Sequence, residues 1–184
     1  MELTPIMQKF ILHWGEMGAR WGINRTVGQI HALLYLSPRP MNAEEIADTL
    51  GVARSNVSTS LKELQNWGIV RIAHVMGDRR DHFESMKDVW EMFRVIMDER
   101  KKRETDPTLQ LLRELNAEAK KSPVAAAKAG GGAEDAHVRE RLADMLGFFE
   151  LMTDWYDKTR KMSTPAVIRF CKLGDKVAKM LGVT

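Results

Sequence analysis

The sequence predicts a mostly α-helical protein with one small β-hairpin, on three observations. Apolar residues recur at three- and four-residue spacing through most of the chain. Proline, glycine and capping side chains punctuate those rows at ordinary helix lengths. From Ile69 the period shortens toward two, and β-branched residues flank a Gly-Asp-Arg-Arg turn.

Each element follows in order. Thr4-Pro5 opens a helix whose row is Ile6, Phe10, Trp14, Met17 and Trp21. A second helix carries Val27, Ile30 and Leu34 and is stopped by Pro38 and Pro40. In "MNAEEIADTLG", Asn42 caps, Glu45 occupies the capping-box position, and Gly51 terminates. Val52-Ala53-Arg54 leaves room only for a tight turn before a helix with Val57, Leu61 and Leu64 inward, ending at Gly68. "IVRIAHVM", "GDRR" and "DHFES" then form the hairpin.

Beyond it, Val89, Trp90, Phe93, Ile96 and Met97 share a helix face, and "KKRETDP" breaks that helix before Pro107 restarts another. "SPVAAAKAGGGAED" is a linker by composition. Val138, Leu142, Met145, Phe149, Met152 and Tyr156 then form a seam for packing against another helix. Thr164-Pro165 opens the last helix, with Val167, Ile168, Cys171 and Leu181.

Composition narrows the function classes. A chain of 184 residues with 44% hydrophobic and 29% charged residues matches a folded globular protein. The net charge of +3 permits nucleic-acid binding without establishing it. Cys171 is the single cysteine, so no intrachain disulfide forms, and its place on an apolar row reads as a small buried hydrophobe. The start lacks a signal-peptide pattern and no apolar run reaches membrane-spanning length, so the expectation is a cytoplasmic protein with no membrane partner. The glycine run lacks a preceding strand and a following Lys-Ser/Thr, and no nucleophile, histidine and carboxylate share a convincing spacing. The expectation is no enzyme, no cofactor and no metal site, with His74 and His82 as solvated wing histidines.

Residues 25–87 thus read helix, helix, tight turn, helix, hairpin, the order of a winged helix-turn-helix. With Val57, Leu61 and Leu64 inward, helical geometry turns Ser55, Thr59, Lys62 and Asn66 outward, with Asn56 and Ser58 on the flanks. Short donors and acceptors with one cation suit a DNA major groove, where bulky branched side chains would clash. Arg54 at the helix entrance suits a phosphate or guanine, Arg79 and Arg80 suit a phosphate backbone or minor groove, and Asp78 orients one of them.

"MNAEEIADTLGVARSNVSTSLKELQNWGIV", "GDRRDHFES" and "KDVWEMF" together resemble the MarR superfamily of winged-helix regulators, most closely its GbsR branch. The resemblance covers about the first half of the chain. It implies a dimeric transcriptional regulator in which Ser55, Asn56, Ser58, Thr59 and Lys62 match the recognition helix, and Asp78, Arg79 and Arg80 match the wing. Ala53 departs from the capping serine or threonine common in the family.

The expected organisation is residues 1–24 as a helix contributing to dimerisation, 25–87 as the DNA-binding domain, and 88–184 as a helical dimerisation and effector region with a flexible linker at 122–135. The expected function is a sequence-specific regulator of double-stranded DNA, a repressor acting as a homodimer on a palindrome. A small ligand could modulate it through an aromatic cage of Trp14, Trp21, Trp90, Trp155 and Tyr156, the alternative being that these aromatics at helical spacing are packing residues of the core. Two other readings stay open: a winged helix that docks a protein without specific DNA binding, and a helical small-molecule receptor with DNA only as its output.

Overall fold

Thr4 accepts a hydrogen bond from the Met7 amide and Pro5 takes the first helical position, so α1 (Pro5–Arg20) starts as predicted. Its inward row is different. Ile11, Gly15 and Gly18 are buried, whereas Ile6 is 82% exposed and Phe10, Trp14 and Met17 are half-buried. The cause is α2 (Arg25–Leu36), capped by Asn24, whose backbone crosses α1 at glycine-to-glycine distance. A Cβ on Gly28 would stand 3.1 Å from Gly15 Cα and 3.2 Å from the Trp14 carbonyl oxygen. A row drawn through large apolar residues misses a contact made by residues without side chains.

The structure, a computed structural model, describes residues 1–121, 132–180 and 182. It forms two compact units, Met1–Met97 and Asp98–Thr184. In the first, α3 (Ala43–Leu50) begins with the predicted capping box. Asn42 accepts from the Glu44 and Glu45 amides while the Glu45 carboxylate accepts from the Asn42 amide, and Gly51 ends the helix at φ 64°. The next helix, α4 (Arg54–Asn66), starts at Ala53 without a side-chain cap. Ile30, Leu33, Leu34, Ile46, Val57, Leu61, Leu64 and Ile69 form the core, none more than 2% exposed. Burial of each such side chain contributes about 1.5–3 kcal/mol.

A three-stranded antiparallel sheet in the order β1-β3-β2 completes this unit: β1 (Met41–Asn42), β2 (Val70–Ala73) and β3 (His82–Ser85). Phe83 stands opposite both Met41 and Ile72. The predicted hairpin is β2 and β3; β1 is unpredicted, since two residues show no alternation. The turn falls earlier than expected: the Asp78 amide donates to the Val75 carbonyl, and Gly77 takes φ 85°. Arg79 and Arg80 therefore follow the turn instead of forming it.

From β3 the chain passes through Lys87, whose ammonium donates to the carbonyls of Leu34, Tyr35 and Ser37 at 3.0, 2.8 and 3.0 Å. These are carbonyls at the open end of α2, which the helix itself cannot satisfy. Asp88 then caps α5 (Val89–Arg100) by accepting from the Trp90 and Glu91 amides. Met92, not a residue of the predicted row, is buried; Val89, Trp90 and Phe93 are exposed.

The predicted break before Pro107 does not occur. A π-helical turn, Lys101–Thr105, leads directly into α6 (Asp106–Lys121), with the Asp106 amide bonded to the Lys101 carbonyl. Widening the turn here accommodates a proline that lacks an N–H and crowds the preceding carbonyls. Of the linker expected at 122–135, residues 122–131 lie outside the described residues, and 132–135 open α7 (Gly132–Arg160) as helix. An acidic residue such as Asp135 suits the positive end of a helix dipole.

Asn116 ties α6 to α7, its amide donating to the Leu112 and Leu142 carbonyls. Asp98 accepts from the Tyr156 hydroxyl at 2.7 Å and from Arg160 Nε, and Arg160 beside it holds its carboxyl below the usual range. The predicted seam splits in two: Leu142, Phe149 and Tyr156 are half-buried, whereas Val138, Met145 and Met152 are exposed, together with Phe148 and Trp155. The last helix is α8 (Thr164–Met180). Cys171 is exposed on it, against the expectation of burial, because none of the described residues covers that face of the helix. Leu181 lies outside the described residues.

Candidate nucleic-acid interface

Because Val57, Leu61 and Leu64 point into the core, α4 offers its other side to solvent. Ser55, Asn56, Ser58, Thr59, Lys62 and Asn66 are all exposed there, as the helical spacing requires. Ser60 is the polar exception, buried at 4%. Thr59 Oγ1 donates to the Ser55 carbonyl at 3.1 Å, which fixes its rotamer. Lys62 has no ion-pair partner among the described residues. Without a side-chain cap at Ala53, the first amides of α4 remain available to an anion.

The wing differentiates its two arginines. Arg80 Nε lies 3.0 and 3.1 Å from the two Asp78 carboxylate oxygens, one Nη donates at 2.6 Å, and the Arg80 backbone amide adds a further bond to Asp78. These contacts hold the Asp78 carboxyl well below the usual range and raise the guanidinium of Arg80 in turn. Arg79 projects into solvent with no ion-pair partner among the described residues. The oriented arginine is thus Arg80.

Glu44, in the first turn of α3, joins the two DNA-type elements. Its carboxylate lies 3.7 Å from Arg54 and 3.4 Å from Arg80. His82 is buried, not solvated: Nδ1 donates to the Arg80 carbonyl at 3.0 Å and Nε2 lies 3.5 Å from Asp78. Its position opposite Asn42 and Ala73, in the middle strand, explains that burial. His74 is exposed. No three histidine, cysteine or carboxylate side chains converge to hold a metal ion among the described residues, and none of the described helices is long and apolar enough to cross a membrane.

Of the five residues of the aromatic cage, two share a cavity within the first unit. Trp14 and Trp21 line an apolar cavity of about 200 Å³ in the first unit, with Trp67, Met92, Phe93 and His31. Trp90 does not line it: Val89, Met92, Phe93 and Ile96 face the cavity, and the next residue after Val89 turns a hundred degrees away. Trp155 and Tyr156 belong to the second unit, where burial of the Tyr156 ring, and then its hydrogen bond to Asp98, raise the phenol pKa.

His31 is the titratable residue in the lining of this cavity, and sequence patterning assigns it no role of its own. It is 4% exposed, and Trp14 Nε1 donates to its Nδ1 at 3.2 Å. That bond leaves the ring proton on Nε2, which has no partner among the described residues. Burial, aided by the nearby Lys87 charge, lowers its pKa to about 4. Its position beside Ile30 on the core side of α2 was the available signal.

Comparison with known proteins agrees with this geometry. Residues 21–81 match the MarR family. The HTH-type transcriptional repressor GbsR of Bacillus subtilis (strain 168) is 26% identical over 101 residues, 55% of this chain and 56% of that one. From the same organism, YvaV is 25% identical over 84 residues, 46% of this chain and 48% of that one. The HTH-type transcriptional repressor OpcR is 23% identical over 73 residues, 40% of each chain. The chain thus spans about half the length of these curated relatives. A solved structure described as the crystal structure of a transcriptional regulator shares the fold, with TM-score 0.53 and 19% identity over 91% of this chain and 99% of that one. Residues 21–81 of this chain, with their element order and wing, are thus similar to the MarR family and share the winged helix-turn-helix fold.

Proposed function

We propose that this protein is a cytoplasmic, non-catalytic transcriptional repressor that binds a palindromic operator as a homodimer, its affinity modulated by a small ligand. The observation that carries the reading is the exposed face of α4. Six small or cationic polar side chains stand over a buried apolar row, beside a wing whose Arg79 is unpaired among the described residues. The α4 face would read base edges, while Arg54, Lys62 and the wing arginines would meet phosphates or a minor groove.

One such helix contacts too few base pairs for useful specificity, and a two-fold dimer doubles the site. The exposed row of α7, with Val138, Met145, Phe148, Met152 and Trp155 between 45% and 58% exposed, supports a partner copy. The repressor sense rests on the names of two relatives. For the ligand, the cavity reaches Leu64 and Trp67 at the end of α4, so filling it would shift the recognition helix.

Selection from random double-stranded DNA tests the proposal, with a Phe148→Glu variant alongside. The expected result is enrichment of two half-sites about 10 base pairs apart, with affinity falling steeply in salt and weakened when Phe148→Glu separates the dimer. No enrichment together with salt-indifferent binding would refute DNA recognition and favour a protein-docking role for the winged helix.

A further inference from the structure

We propose that Glu44 determines specificity by holding down sequence-independent DNA affinity. The inference rests on the DNA-binding reading above and concerns a residue with no other evident task. Glu45, not Glu44, supplies the capping box of α3. Among the described residues the Glu44 carboxylate reaches only Arg54, at the first position of the recognition helix, and Arg80, in the wing.

These three residues line one groove, of about 290 Å³, with Asn42, Ser58 and Asp81. It lies between the two elements that would flank a DNA backbone. There the guanidiniums of Arg54 and Arg80 face the carboxylates of Glu44 and Asp78, with Asp81 beside them, so the cluster carries no excess positive charge in the free protein. Affinity for any duplex depends on cations replacing counterions at phosphates, and cations already matched by carboxylates contribute little to it.

Exposed pairs at 3.4 and 3.7 Å are weak and exchange readily. A phosphate held in register by base contacts at α4 can therefore take either arginine, but it must do so beside a negative charge that stays in the groove. A phosphate of random sequence is held in no one register, samples positions nearer the Glu44 carboxylate and so meets more of that repulsion. Glu44 thus penalises random DNA more than the operator.

Glu44→Gln removes the charge while keeping the side-chain shape. Binding of the full-length wild type, E44Q and E44D is measured on a random-sequence duplex and on a duplex selected by the wild type, over a salt series, with thermal midpoints to establish folding. Neutralising one more phosphate per protomer corresponds to about an eightfold tighter random-duplex affinity at 0.1 M salt, and to a salt slope steeper by about one. The expected result is that increase for E44Q on random DNA, a smaller increase on the selected duplex, and E44D near the wild type because the charge remains. Affinities unchanged or weakened in E44Q, equal increases on both duplexes, or E44D behaving as E44Q would each overturn the inference. A wild type that binds neither duplex would overturn the DNA reading itself, and the inference with it.

Discussion

Replacing Gly28 by alanine tests the close crossing of α1 and α2 at Gly15 and Gly28. A helix-interior alanine should stabilise by about 0.8–1.0 kcal/mol over glycine if nothing opposes it. Here the new Cβ would sit 3.1 Å from Gly15 Cα and 3.2 Å from the Trp14 carbonyl. Both are backbone atoms, so α1 itself must move. Overpacking of this kind costs about 1–3 kcal/mol, which outweighs the propensity gain and leaves a net loss of about 1 kcal/mol, or 4–8 °C in the midpoint of a unit this size. Gly147 in α7 supplies the control, because a Cβ there meets nothing within 4 Å and alanine should stabilise by roughly the full propensity difference. Urea and thermal unfolding followed by circular dichroism read both variants. Gly28→Ala as stable as the wild type would refute the close crossing.

Two further perturbations follow. His31, with its pKa lowered to about 4 from 6.5, leaves the unfolded chain binding a proton that the folded chain refuses. Its contribution is therefore lost as pH falls from 6.5 toward 4, by up to about 3 kcal/mol, and most of that window lies above the ordinary values of 4.5 and 3.8 at which the contributions of Glu45 and Asp98 begin to be lost. Unfolding of His31→Gln across that window should show a flatter pH dependence than the wild type, and equal slopes would count against the buried neutral imidazole. Lys87→Met removes three hydrogen bonds to the end of α2, a loss of about 1–3 kcal/mol after allowance for water reaching those carbonyls. Chemical denaturation measures it, and an unchanged midpoint would show that solvent replaces the ammonium without loss.

The parts of the fold legible in the sequence are those written in local chemistry. Thr4-Pro5, the Asn42 and Glu45 box and Gly51 each act within a few residues, so α1 and α3 begin, and α3 ends, where the code for caps places them. The outward face of α4 follows from three inward residues and helical geometry. What escaped depends on partners distant in the chain. Gly15 and Gly28 pack because two helices cross, Lys87 finds carbonyls about fifty residues away, and β1 exists only because β3 lies beside it. Glu44 is illegible for the same reason: as a sequence letter it is one more acidic residue in a first helical turn. Trp90 stands one residue off the row that faces the cavity, a difference of register that apolar spacing alone does not resolve. Pro107 misled because a π-helical turn absorbs it.

In the proposed complex the α4 face reads sequence while the wing contributes charge. Affinities of Asn56→Ala and Arg79→Ala for a selected duplex and for random DNA separate the two roles. Asn56→Ala should lose about 1–3 kcal/mol on the selected duplex and nothing on random DNA. Arg79→Ala should weaken both alike, with a salt slope shallower by about one. Asn56→Ala binding the selected duplex as tightly as the wild type, with discrimination intact, would rule out α4 as the reading element.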